Sequence, residues 1–500
     1  MVWWLAGTLV LPLIGACISG LLGRRNDHLR RWTPLVASAL TTLCVLSLLA
    51  YGDRHIRLGV EWLPGYGAWS LHVGGVGLWA AVTTTASAFM VYVIARGAEN
   101  ARSPFMDVFT LVALSASNVA FLMGHFLGRY VALEIVALCV AAVLAVESTD
   151  RQATSSAGRV YLVLRVGDAG LLAAILILLD AAGSLDIETA LGVGAALDGP
   201  IRAWTAAGFA LACWVKLGVW PFHQWLAGGR ALPLPVRGWV FATVMPQLGL
   251  YLLYRVSPII TGGMVGVIVL VLGSVSVVLG AMLGVLHLRE DPGSIVVYGS
   301  AVVGGAAIAL AAVGAQAALV VLLVLAAPVR ALAWWAGSLV PAEAVAVARA
   351  PNRLLERLLC GARAALRFGE TSVFQAGIIR IAQAMLHFAK ILHRLIEVEV
   401  FQEGVMQVAR ATLRLANHDL AGLADHDQVM RVARATLRLA NVLHWRVEDR
   451  GLDHLPATVS GSALRGAWWF SHQHSGRLRD SLLWVVLSPI VALLLVVVVG

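Results

Sequence analysis

The stretch ALACWVKLGVWPFHQWLAGGRALPLPVRGWVFATVMPQLGLYLLYR, residues 210–255, decides how the chain is read. It begins inside an apolar run long enough for a membrane helix, carries Lys216 in mid-run, and breaks near Pro221. It then passes through Gly228, Gly229, Pro233 and Pro235 and resumes as a second apolar helix. A helix-interior proline removes a backbone hydrogen bond and clashes with the preceding turn. An ionisable side chain at membrane depth is costly and is read by default as functional. Lys216, little more than a turn before the break, is therefore the candidate around which the other residues are weighed.

Composition fixes the class. Hydrophobic residues are 59% of the 500 and charged residues 13%, with a mean hydropathy of +0.82. That is an all-α polytopic membrane protein whose first helix is expected to be retained. Cys17, Cys44, Cys139, Cys213 and Cys360 form no CxxC and no Cys/His cluster, so no iron–sulfur, zinc or disulfide reading holds. With no Gly-rich phosphate loop, no cofactor and no metal are expected on this chain. The net charge of +9 reads as membrane topology, not nucleic-acid binding. Of 37 basic residues only Lys216 and Lys390 are lysines. Lysine loses its proton readily on burial and arginine does not, so Lys216 reads as a group that gains and loses a proton.

Spans fall at roughly 2–22, 33–51, 74–96, 106–126, 130–148, 160–182, 204–226 (broken), 238–256, 261–286, 295–315, 317–340 and 479–499, about twelve helices. Arginines crowd alternate connections, at Arg24, Arg25, Arg30 and Arg31, then Arg96 and Arg102, Arg151 and Arg159, Arg230 and Arg237, and Arg289. The loop 183–203 carries Asp186, Glu188 and Asp198 against Arg202. The positive-inside rule predicts an N-terminus outside a bacterial inner membrane and residues 341–478 in the cytoplasm.

From Asn352 to Leu455 there is no proline, and arginines alternate with apolar residues at helical spacing. VMQVARATLRLAN (405–417) returns as VMRVARATLRLAN (429–441), differing only at Gln407 and Arg431. Roughly a hundred helical residues would reach about 150 Å, so this segment is expected to lie along the membrane or along neighbouring subunits, and Leu482 to Val499 to re-anchor the chain. A soluble cap of helical hairpins is the alternative.

The motifs now on the page resemble the antiporter-like membrane subunits of respiratory complex I, Mrp-type antiporters and membrane-bound hydrogenases, and most of all the largest type with its lateral helix. LPLIGACISGLLGRR (11–25) is similar to the family's opening helix, YVALEIVALC (130–139) to its fifth helix with Glu134, and RVGDAGLL (165–172) to its sixth. KLGVWPFHQWL…PLPV (216–236) is similar to its broken seventh helix, and SGRLRDSLLWVVL (475–487) to the entry of its last. The resemblance implies proton transfer through half-channels joined by buried charges, with Glu134 and Lys216 as the relay. Pro221 would open the break to water. His223 is either a relay or a histidine stabilising the break. Arg165 and Asp168, three apart on one helix, are either a conformational partner pair or a structural pair.

The chain departs from the family in its second half. Phe241 stands where helix eight carries a histidine, and Gly293 and Ser294 where a basic pair follows Asp291, although Tyr298 is kept. Leu322, Ala326 and Arg330 replace two histidines and a lysine. Leucine and alanine cannot pass a proton and arginine is not readily deprotonated, so the second half-channel reads as blocked and Arg330 as a fixed charge. The expected segments are 1–103, a first five-helix repeat 104–256, a truncated second repeat 257–341, the lateral segment 342–478 and an anchor 479–500.

The leading expectation is a proton-translocating subunit of a complex I-like redox-driven pump. Its partners would be other membrane subunits, lipid and peripheral redox subunits. One alternative is the cation-conducting half of a two-component inorganic-carbon uptake system with a soluble zinc protein similar to carbonic anhydrase. Another is a non-conducting structural clamp.

Overall fold

Long apolar runs punctuated by capping residues fold as helices. The structure, a computed structural model, describes residues 1–23, 26–57, 67–95, 104–147, 151–220, 222–223, 225–226, 239, 243–288 and 294–338. The helices are α1 (Val2–Leu21), α2 (Asp27–Leu48), α3 (Gly75–Ala95), α4 (Pro104–Leu122), α5 (Phe126–Glu147) and α6 (Arg151–Ala182). They continue with α7 (Ile187–Ala196), α8 (Gly199–Leu217), α9 (Met245–Ile260), α10 (Gly263–Leu288), α11 (Ser294–Ala312) and α12 (Gln316–Ser338). Among the described residues six helical stretches are long and apolar enough to cross a membrane, and four more are apolar but shorter. The lateral segment with its repeat and the last anchoring helix lie outside the described residues, as do Pro221, Phe241, Asp291 and Gly293.

Small residues set the helix spacing. A Cβ built on Gly170 of α6 would sit 2.9 Å from the Gly208 carbonyl of α8, and one on Gly208 would sit 2.7 Å from the Gly170 carbonyl. Gly273 of α10 and Gly305 of α11 oppose each other in the same reciprocal way at 2.8 Å. Without a hydrophobic force between helices in lipid, such close backbone approach supplies the packing. Side-chain bonds to helix carbonyls fix other pairs. Ser115 of α4 donates to Leu9 O of α1 at 2.6 Å. Gln247 of α9 donates to Leu323 O of α12 at 2.5 Å.

One end of the bundle carries a small sheet that the sequence reading did not anticipate. Strands β1 (Arg54–Arg57) and β2 (Ser70–Val73) pair antiparallel, Arg54 opposite Val73. The turn 123–126 between α4 and α5 is stitched to both sides: Gly124 N–H donates to Ser70 O at 2.8 Å, and Phe126 N–H to Leu185 O at 2.9 Å. Ile187 N–H donates back to Gly124 O at 2.9 Å. We call this the hairpin end. The 183–203 stretch, expected as a loop, contains α7. Its cap is Asp186, whose carboxylate accepts from Thr189 N–H at 3.0 Å. Arg202 donates to Thr261 O at 3.2 Å, closing the C-terminus of α9 with a cation.

Candidate functional site

The helix carrying Lys216 does not run to Pro221. It stops at Leu217, and Gly218 adopts φ 62°, ψ 39°, the left-handed cap conformation. The Gly218 N–H turns back to Trp214 O and Val215 O, the hydrogen-bond pattern of a glycine C-cap. Two indoles satisfy carbonyls around the break. Trp225 Nε1 donates to Val215 O, and Trp214 Nε1 donates to Trp220 O, both at 2.7 Å. The ammonium of Lys216 thus hangs from the last turn of α8, where the helix dipole favours a cation.

Its partner is on α6. Lys216 Nζ lies 2.5 Å from Asp168 Oδ1, with the lysine 0% and the aspartate 2% exposed. The packing beneath explains the meeting. A Cβ on Gly167 would fall 2.8 Å from Val215 Cβ, so the residues preceding Asp168 and Lys216 already touch. Asp168 Oδ2 is 3.2 Å from Arg165 Nη2 one turn back on α6. Arg165 Nη1 in turn forms an ion pair with Glu134 Oε2 of α5, and the guanidinium lies 4.9 Å from the Tyr161 ring centroid. The result is a line of alternating charge, Glu134, Arg165, Asp168, Lys216. It runs from a partly open end, Glu134 at 15% and Arg165 at 25% exposed, to a dry one.

Among the described residues no ion pair joins Glu134 and Lys216 directly, and Arg165 and Asp168 stand between them. His223 is buried in the turn beyond the break, its carbonyl accepting from Leu226 N–H at 3.0 Å. Arg330 is buried on α12, which packs on α3, α9 and α11, and the α5–α6–α8 charge line does not include it. Ala326 is buried one turn before it. Among the described residues no group of three or more metal-ligating side chains occurs.

Three buried polar residues were missed by sequence reasoning. Arg129 of α5 donates to Met123 O at 2.5 Å and to the Tyr251 hydroxyl at 3.3 Å. Gln247 links α9 to α12. His125 is buried in the stitched turn, and burial pushes its imidazole below the ordinary value, with Asp186 and a hydrogen bond to the Gly67 backbone opposing. Arg129 and Gln247 are charged or strongly polar residues inside apolar runs, which was signal enough to find them.

Residues 123–340 match a family model described as NADH:quinone oxidoreductase/Mrp antiporter, TM. A curated relative, NAD(P)H-quinone oxidoreductase subunit 5 of the Paulinella chromatophora chromatophore, is 27% identical over 309 residues, covering 57% of this chain and 46% of that protein. NADH-quinone oxidoreductase subunit L of Campylobacter jejuni is 26% identical over 222 residues, covering 44% and 37%. These matches take in less than half the length of either relative. Among solved structures, the Mrp complex of a Dietzia species superposes with a TM-score of 0.59 at 21% identity, over 66% of this chain and 37% of that one. Respiratory complex I of Thermus thermophilus gives a TM-score of 0.55 at 21% identity, over 66% and 70%. At these identities the structures speak for the fold alone.

Proposed function

We propose, from the premise that residues 123–340 form an antiporter-like membrane domain of the NADH:quinone oxidoreductase/Mrp antiporter family, that this chain is a proton-relay subunit of a larger redox-driven membrane complex. The observation that carries the reading is the unbroken charge line from Glu134 through Arg165 and Asp168 to Lys216. Arg165 keeps its charge throughout and is shared by two carboxylates. When it leans towards Glu134, Asp168 is left to hold the ammonium of Lys216. When it leans towards Asp168, the hold on Lys216 weakens, and burial then disfavours the lone charge. A shift of one guanidinium therefore decides whether Lys216 keeps its proton. The break at Gly218, with His223 beyond it, is the route by which water reaches Lys216 on one side of the membrane.

The open end of the line supports a neighbour. An ion pair on a lipid-facing surface is costly, so the exposed edges of Glu134 and Arg165 are covered by another membrane subunit. In this reading the N-terminus lies outside and the segment 342–478, which falls outside the described residues, belongs to the cytoplasmic side. The truncated second repeat, 257–341, holds Arg330 as a fixed charge and does not conduct by itself, so the partner supplies the exit. The alternatives are a two-component carbon-uptake system and a structural clamp; the retained Lys216–Asp168 pair argues against the clamp.

The test is proton movement in membrane vesicles holding the intact complex. Lys216→Ala and Asp168→Asn should each abolish most substrate-driven acidification. Acidification unchanged by Lys216→Ala would sink the relay reading. Co-purification of the chain with a single soluble zinc protein would move the assignment to carbon uptake.

A further inference from the structure

We propose that the stacked pair His55 and His72 is an acid-sensitive latch: when both imidazoles carry a proton, strand β1 is released from β2. The two residues stand directly opposite each other in the hairpin. Their rings stack with centroids 4.1 Å apart and planes 17° from parallel. His55 is exposed and His72 is half-buried. Two neutral rings, or one neutral and one charged, stack favourably. Two imidazolium rings are like charges directly opposite on a ladder, which destabilises the pairing. Histidine is the side chain whose charge changes in the range a membrane enzyme meets.

The charges around the pair do not cancel this repulsion. Asp53, just before β1, and Glu188 of α7 favour a charged His72, while His55 and Arg255 of α9 oppose it. Glu188 is already engaged by Arg255 at 2.7 Å. The ends of α3 and α4 that lie nearest β2, residues 75–81 and 116–122, contain no titratable side chain. The 123–126 turn brings His125, which meets Trp69, one residue before β2. Burial first, and His55 after it, hold the His72 imidazole below its ordinary 6.5. The released hairpin therefore binds protons more readily than the closed one. Release is favoured as pH falls through that ordinary value and levels off below the closed-state value.

The hydrogen bonding decides which strand moves. β2 is held on both edges, by β1 and by the turn 123–126, through Gly124 N–H to Ser70 O and a bridge from Leu71 to Met123. Among the described residues β1 pairs with β2 alone. Acid thus frees β1 and leaves β2 in place, with one side of its support gone. The turn that β2 steadies opens α5, the helix of Glu134. The start of α1 lies at this same end, since Asn118 of α4 donates to Thr8 O at 3.2 Å. With the N-terminus outside, the latch faces the compartment into which a pump delivers protons and samples the acidity built up there. Only that assignment of side rests on the reading above.

The experiment is amide hydrogen exchange of the full chain in lipid nanodiscs, with millisecond labelling and mass spectrometry. Between about pH 7.5 and about pH 5.5, exchange at Arg54–Arg57 should rise by roughly tenfold beyond the intrinsic change in rate, the factor that one unit of difference between closed and released values supplies. Exchange in α3 should rise only by the intrinsic change. His55→Gln and His72→Gln each leave a single imidazole and should remove the extra rise. His55→Phe keeps the stacked ring without its charge and should remove it too, which separates lost repulsion from lost packing. No extra rise in the wild type overturns the latch. So does an extra rise that persists in His55→Phe, or one shared equally by α3. The exchange needs no proton transfer, so its outcome is independent of acidification by the intact complex with Lys216→Ala, which decides the relay reading by itself.

Discussion

Asp168 and Lys216, 48 residues apart, meet as a buried ion pair at 2.5 Å between α6 and α8. A buried pair of this kind contributes little net stability over an apolar replacement, but removing one partner strands the other.

Asp168→Asn should therefore destabilise the chain by about 3–5 kcal/mol. Lys216→Met should cost a similar amount, and the double variant should recover most of it. Thermal unfolding in detergent, run as a double-mutant cycle, checks the coupling. Additive losses would mean that the two side chains do not hold each other.

Arg165→Gln removes the cation between Glu134 and Asp168. Glu134 then loses its ion-pair partner and its link to Asp168, which keeps only Lys216, and proton movement in the intact complex should fall at least roughly tenfold, equivalent to about 1.4 kcal/mol. Arg165→Lys should be intermediate, because an ammonium lacks the planar fork that engages two carboxylates at once.

Gly208→Ala would place a methyl group 2.7 Å from the Gly170 carbonyl, and neither backbone can yield without moving its helix. A loss of about 1–3 kcal/mol is expected from such overpacking, together with weaker Lys216 coupling. Gly192→Ala on α7, where nothing lies within 4 Å, is the control and should be neutral or slightly stabilising. Equal effects at the two positions would show that helix propensity, not helix contact, governs Gly208.

His125 lies outside the membrane spans, and burial holds its imidazole below the ordinary 6.5. The unfolded chain therefore binds a proton more readily than the folded one, so stability falls as pH drops through 6.5 and levels off below the folded value. His125→Gln should flatten that acid limb of the unfolding midpoint against pH, while leaving stability above pH ~7 set by packing alone. An unchanged acid limb would assign it to other groups, His72 among them, whose imidazole is also lowered, chiefly by burial.

The sequence made the membrane class legible because hydropathy is a sum over residues and needs no partner. Lys216 stood out for the same reason, as one of two lysines, set inside an apolar run. Arg165 and Asp168 were legible as neighbours one helical turn apart, since that spacing is fixed by helix geometry. The sequence reading places a break near Pro221, which lies outside the described residues; α8 ends at Leu217 with Gly218 as its left-handed cap, and a glycine just past the last apolar turn was the available signal for that end.

By itself, then, the chain determined what each helix carries: Glu134 on α5, Arg165 and Asp168 on α6, Lys216 on α8 and Arg129 on α5. Which carboxylate holds Lys216 was decided only by tertiary structure. That choice depends on the axial register of α6 against α8, set by Gly167 on Val215 and Gly170 on Gly208. Register between helices is a property of two surfaces meeting. No single stretch contains it, and a shift of one turn, 5.4 Å, would have given Lys216 a different neighbour.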